Sequence, residues 1–157
     1  MTPAINTAKK AKIAYSVHQY VHDPAAVSYG KEAAEKLGLD EARVFKTLVV
    51  ELDNGSLAVG VVPVSAMLGM KQIARAAGVK KAAMADKAAV ERATGYVLGG
   101  VSPLGQKKRL PTFIDTSANI FPTIFVSAGR RGLEIELDPN DLAALTGAKF
   151  SPLSEEK

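Results

Sequence analysis

Two apolar runs joined by a three-residue turn constrain this chain more than any other feature. Val44-Phe-Lys-Thr-Leu-Val-Val50 is dominated by β-branched and large apolar residues, and Leu57 to Val64 repeats that character. Asp53-Asn54-Gly55 between them supplies residues that tolerate positive φ, so the pair predicts a tight hairpin inside a buried sheet. Pro63 belongs near the end of its strand, because it has no N–H to give a central ladder.

The flanking sequence predicts helices and further hairpins in irregular alternation. Thr2-Pro3 caps a basic amphipathic helix running to about Tyr15, and Val17 to His22 alternates as a half-buried strand. Ser28 caps a second helix that stops at Gly38, a residue suited to the left-handed position past a helix end. Ser65 to Ala77 and Asp86 to Thr94 read as short Ala-rich helices, and Tyr96 to Arg109 as a loop. Thr112 to Asp115 and Thr123 to Ser127 read as strands, with a hairpin through Gly129-Arg-Arg-Gly132 to Leu137 and a last helix from Asp138-Pro139 to Gly147. Hairpins outnumber strand-helix-strand units, so the class is α+β (mixed α/β), with a largely antiparallel or mixed sheet. At 157 residues, 47% of them hydrophobic, residues 1–157 make one domain with a sizeable core.

Absences narrow the chemistry. There is no cysteine, which removes a thiolate zinc site and a cysteine nucleophile; neither histidine lies beyond position 22 and no Ser-His-Asp spacing is present, so a nucleophile activated by a general base is poorly provided for. His18 and His22 fall on one strand face about 13 Å apart, too far to share a metal. No metal and no cofactor are expected. The N-terminus lacks the apolar core of a signal peptide, and no run approaches the ~18 apolar residues of a membrane span; the expected location is cytoplasmic. The formal charge of +4 is concentrated in clusters such as Lys9, Lys10 and Lys12, or Lys107, Lys108 and Arg109. These are either solvated faces or contacts for an anionic partner such as nucleic acid.

Two features carry candidate chemistry. Lys46 interrupts an apolar strand, sharing a face with Val44, Leu48 and Val50 by the period of two. It either snorkels to solvent at an edge or reaches into a cleft to hold a phosphate or carboxylate. Gly99-Gly-Val-Ser-Pro-Leu-Gly105 permits close backbone approach to a ligand, yet is neither a Walker loop nor a nucleophile elbow; a plain surface turn is the alternative. Any catalysis would have to rest on positioning and oxyanion stabilisation, with substrate or water attacking.

Taken in order, Tyr20, Val44-Phe-Lys46-Thr47, Gly99-Gly-Val-Ser-Pro103 and Ser127-Ala-Gly-Arg-Arg-Gly-Leu133 resemble the YbaK family of Cys-tRNA(Pro) deacylases, in the superfamily of the prolyl-tRNA synthetase editing domain. The resemblance covers essentially the whole chain. It implies a curved, barrel-like mixed sheet flanked by helices, and hydrolysis of cysteine misattached to tRNA(Pro), in trans beside prolyl-tRNA synthetase. Carried over, Lys46 contacts the tRNA 3′ end or aminoacyl group, and Gly99 and Gly100 hold the carbonyl oxygen through their amides. Tyr20 and Thr47 line the pocket, Ser102 and Pro103 belong to the substrate loop, and Ser127 lies near the substrate. The family's attack is made by the substrate's own thiol, giving a thiolactone. Glu134 stands where relatives are expected to have aspartate, so no role is carried over to it. The oligomeric state, monomer or weak dimer, is not legible.

Overall fold

The computed structural model describes residues 1–26 and 28–155. Its elements run α1 (Pro3–Ala11), β1 (Tyr15–Gln19), α2 (Tyr29–Leu37), β2 (Phe45–Leu52), β3 (Leu57–Pro63), β4 (Met67–Leu68), α3 (Met70–Ala76), β5 (Ala82–Met84), α4 (Lys87–Thr94) and β6 (Thr112–Asp115). A 3₁₀ turn (Thr116–Ile120), β7 (Ile124–Arg130), β8 (Leu133–Leu137), α5 (Pro139–Thr146), β9 (Lys149–Ser151) and β10 (Ser154–Glu155) follow.

The predicted hairpin is the centre of the larger sheet. β2 and β3 pair antiparallel from Phe45↔Pro63 to Glu51↔Leu57, with Pro63 at the end of its strand. Across the sheet the order is β5-β2-β3-β6-β9, antiparallel on the β5 side and parallel from β3 through β6 to β9. A second, antiparallel sheet has the order β1-β8-β7, and β4 pairs with β10. The first two sheets meet where Val44 bridges to Phe125. The class is the α+β one predicted. Among the described residues its β structure is divided into three sheets, none closed into a barrel.

Local chemistry explains most boundaries. Thr2 accepts from the Ile5 N–H at 3.2 Å, and Pro3 opens α1. That helix stops at Ala11 rather than near Tyr15, because Lys12 takes a left-handed conformation (φ 59°) and Tyr15 pairs with Leu137. Ser28 and Gly38 cap α2 as expected. The predicted helix from Ser65 instead yields β4 and a shorter α3, since Met67 and Leu68 are taken by pairing with the chain's far end. The last hairpin also differs. β7 runs through to Arg130, with the register slipping between Ser127 and Arg130, so Ala128 and Gly129 form a bulge and only Arg131 and Gly132 make the turn.

The main core lies between the two larger sheets, with Phe45, Val49, Val59, Val61, Ile114, Ile124, Val126, Ile135 and Leu137 at its centre. A second cluster (Val50, Val62, Leu68, Ile73, Phe113, Leu153) packs on the other face of the β2–β3 hairpin under α3. Both faces of the hairpin are thus covered. Side chains fully buried in this way each contribute about 1.5–3 kcal/mol.

Candidate functional site

A cleft of about 340 Å³ opens along β2. Phe45 to Val49 form its floor, and Ser28, Tyr29 and Gly30 at the start of α2 form one wall. Leu98, Gly99 and Val101 of the loop, Met84, Ala85 and Val90 of the β5–α4 region, and Ser127 and Glu134 of the β7–β8 pair complete its lining.

Each wall is fixed by a packing or bonding constraint. α2 approaches the hairpin closely at Gly30, where a β-carbon would lie 2.5 Å from Val64 Cγ2. The segment leading into that helix is tied down by Glu32, a buried carboxylate bound by His22 Nδ1 at 2.7 Å, the Asp23 N–H at 2.7 Å and Lys36 Nζ at 3.2 Å. Burial alone would raise its pKa. The Asp23 amide, His22 and Lys36 outweigh that and hold it at about 2.

The glycine loop is held by burial rather than by regular structure. Ser102 and Leu104 are almost wholly inaccessible. The Tyr96 hydroxyl donates to the Leu104 carbonyl at 2.5 Å, the Leu104 N–H to Ser102 Oγ at 3.2 Å, and Gln106 Nε2 to the Ser102 carbonyl at 2.9 Å. Burial pushes the Tyr96 phenol up to about 12, so it remains a donor throughout the physiological range. With its tail anchored, the loop presents Gly99 to the cleft at φ 93°.

The structure sorts the sequence-predicted residues into two groups. Lys46, Thr47, Gly99 and Ser127 meet at the cleft. Gly100 does not line it: its N–H donates to the Val97 carbonyl at 2.9 Å, and its α-carbon packs against the Arg130 backbone. The amides of Gly99 and Val101, both at the cleft, make no hydrogen bond among the described residues. Ser102 and Pro103 are buried behind the loop, Ser102 as its anchor and Pro103 beside a different depression. Tyr20 sits behind the cleft and packs near Ala33 and Phe125. Burial is the main cause raising its phenol pKa, opposed by a hydrogen bond at Gly132 and reinforced by Glu134 and Glu32.

Two polar groups at the cleft are unsatisfied. Thr47 Oγ1 is buried and has no hydrogen-bond partner among the described residues. Glu134 is 7% exposed and sits opposite Ser127 in the β7–β8 register, and its carboxyl makes no hydrogen bond among the described residues. Burial pushes its carboxyl up to about 8. Sequence reasoning set Glu134 aside. Leu133-Glu-Ile-Glu-Leu137 alternates like a half-buried strand, so sequence alone does not distinguish buried Glu134 from Glu136 on the same face. The cleft's other wall residues, Ser28 and Tyr29, carried no signal, because their proximity to Gly99 is purely tertiary. The two histidines go elsewhere, His22 to Glu32 and His18 Nε2 to Glu136 at 2.9 Å.

The aminoacyl-tRNA editing domain family matches residues 23–145, most of the chain and all of the cleft's walls. This chain belongs to that family. The editing domain is 35% identical over 98% of its length, and 93% of the relative's, to a protein of Enterococcus faecalis named "Putative Cys-tRNA(Pro)/Cys-tRNA(Cys) deacylase EbsC". Among solved structures it is similar to "a putative trans-editing enzyme for prolyl tRNA synthetase", with 27% identity, TM-score 0.82, and 97% and 92% of the two chains covered. It is also similar to "hypothetical protein APE2540", with 25% identity, TM-score 0.86, and 98% and 99% covered. No helix among the described residues is long and apolar enough to cross a membrane.

Proposed function

We propose that this editing domain, residues 1–157 acting as one unit, hydrolyses mischarged Cys-tRNA(Pro) in the cytoplasm, in trans beside prolyl-tRNA synthetase. The observation that carries the reading is the composition of the cleft. It gathers a lysine, an orphaned hydroxyl and unengaged loop amides around a space with neither His nor Cys in its walls. Such a site binds and polarises an ester but is poorly furnished with a nucleophile of its own.

A cysteinyl ester brings that nucleophile. Lys46 holds the 3′ end of the tRNA or the aminoacyl group, and Thr47 Oγ1 takes up a polar atom of the same group. The Gly99 amide, with that of Val101 beside it, receives the ester carbonyl oxygen as negative charge develops there. The substrate sulfur then attacks its own carbonyl carbon, and the bond from that carbon to the ribose oxygen breaks. The products are a thiolactone, opened later by water, and free tRNA. Positioning is most of the catalysis, since an oriented intramolecular thiol reacts at high effective molarity.

Glu134 handles the proton. Its carboxyl is raised to about 8, close to a thiol of pKa about 8.5, so its ionised form, a minority at neutral pH, accepts the thiol proton and returns it to the departing ribose oxygen. Alanyl and prolyl esters lack the attacking group and are spared. Deacylation of Cys-tRNA(Pro) by purified protein, with and without prolyl-tRNA synthetase, tests the reading; absence of turnover in both arms would remove it.

A further inference from the structure

Round the flank of α4 from the cleft lies a larger trough, of about 650 Å³, whose charged lining residues are all cations. Arg92, Lys107, Lys108 and Arg109 line it above an apolar floor that includes Leu57 and Pro111, and no acidic residue contributes to its walls. All four cations are exposed, and among the described residues none is paired with a carboxylate. Lys108, Arg109 and Leu110 also line a second depression of about 160 Å³, so the basic strip continues past the trough.

The strip is held in place by backbone. The Lys107 N–H donates to the Thr94 carbonyl and the Lys108 N–H to the Ala93 carbonyl, each at 2.9 Å, which fastens the segment to the C-terminal end of α4. Arg109 lies across the C-terminal end of α5, its guanidinium 2.6 Å from where a β-carbon on Gly147 would be. Cations at helix C-termini complement the macrodipole, which accounts for part of the clustering. It leaves unexplained why four unpaired cations surround a concave surface with no counter-charge. A row of phosphates is the ligand whose charge and spacing fit such a strip.

We propose that this trough is an RNA-backbone site that takes phosphates of the tRNA body while the aminoacyl end occupies the cleft. The assignment rests on the reading of the cleft as an aminoacyl-tRNA site. α4 is the shared wall, with Val90 at the cleft and Ala89 and Ala93 at the trough, so the two sites adjoin round one helix. Affinity then comes from the trough and chemistry from the cleft.

The test is fluorescence anisotropy of labelled, uncharged tRNA(Pro) with the full chain across a salt series. The wild type is compared with a variant carrying Arg92→Gln, Lys107→Gln, Lys108→Gln and Arg109→Gln. The expected result is a loss of about 10- to 100-fold in affinity at low salt, and a salt slope shallower by about 3, from roughly 0.7–0.9 per phosphate contact removed. Lys9→Gln with Lys10→Gln, on α1, should leave the slope unchanged, and Lys107→Gln with Lys108→Gln alone should give about half the effect. An unchanged slope in the quadruple variant overturns the proposal, as does an equal loss in the α1 control. Competition by polyglutamate as effective as that by RNA of equal charge would also overturn it, by assigning the trough to an acidic protein. A minimal cysteinyl-adenosine ester, too short to reach the trough, separates this from the cleft reading: the quadruple variant should cleave it at the wild-type rate. Failure of the wild type to cleave it would count against the cleft reading rather than the trough.

Discussion

The guanidinium of Arg131 stacks over the ring of Tyr29, 4.0 Å from its centre, and the two side chains together cover Gly99. Arg131 also donates to the Leu98 carbonyl at 3.0 Å. The β7–β8 turn, the start of α2 and the glycine loop, far apart in sequence, are thereby locked at one point on the rim of the cleft. Arg131 is exposed, and a cation–π contact at an exposed site is worth about 0.5–1 kcal/mol, which adds to the hydrogen bond in holding the loop.

Gly99→Ala should break that lock. Its β-carbon would lie 2.5 Å from Tyr29 Cε2 and 2.7 Å from Arg131 Nε, at a φ of 93° that side chains avoid. We expect a loss of about 1–3 kcal/mol in stability and a much larger proportional loss of deacylation, measured by thermal unfolding and single-turnover assay on one preparation. Gly78→Ala also places a side chain at positive φ, but into open space, and should cost stability without a selective loss of activity.

Thr47→Val separates stability from function in the opposite direction. An unpaired buried hydroxyl costs about 1–3 kcal/mol of desolvation, so the valine variant should be as stable as the wild type or more so. Deacylation should nonetheless fall about tenfold. Denaturant unfolding beside kcat/KM checks both halves, and a fall in stability with activity intact would mean the hydroxyl is structural.

Glu134 makes stability depend on pH in an unusual sense. Its carboxyl ionises at an ordinary 4.5 in the unfolded chain and, because of burial, at about 8 in the folded one. Between those values the folded state holds the extra proton, so unfolding releases it and this contribution is lost as pH rises from about 4.5 through 8. Glu134→Gln, which cannot ionise, should flatten the fall in Tm over that interval. A wild-type Tm that rises over the same range would contradict the assignment.

Glu32 supplies the acidic limb. Held at about 2 by the Asp23 amide, His22 and Lys36 against the effect of burial, it contributes stability above its ordinary 4.5 that disappears as pH falls toward 2. Glu32→Gln should lower Tm by several degrees at pH 7 and by much less at pH 3. The wall built from Ser28 and Tyr29 should loosen with it, visible as faster amide exchange at the start of α2.

The parts of this molecule legible in the sequence are those fixed by local chemistry. The Val44–Val64 hairpin, the Ser28 and Gly38 caps and the class followed from periodicity, turn residues and capping. Short β4, β5, β9 and β10 did not, because two- and three-residue strands are defined by their distant partners rather than by pattern. The site divides the same way. Lys46 stood out as a charge in an apolar strand, whereas Gly100, Ser102 and Pro103 share a motif with Gly99 but face inward or bond within the loop. Tyr29 and Arg131 enter through contacts between residues a hundred positions apart, which no single-sequence pattern encodes.

Single-turnover deacylation of Cys-tRNA(Pro) and Ala-tRNA(Pro), by wild type and by Lys46→Ala, tests the central claim most directly. The account predicts rapid cleavage of the cysteinyl ester with a thiolactone as first product, and no acceleration for the alanyl ester. It also predicts a loss of about 100-fold or more in Lys46→Ala at unchanged Tm, on the scale of a removed electrostatic contact in a catalytic site. Equal cleavage of both esters, or full activity in Lys46→Ala, would contradict it.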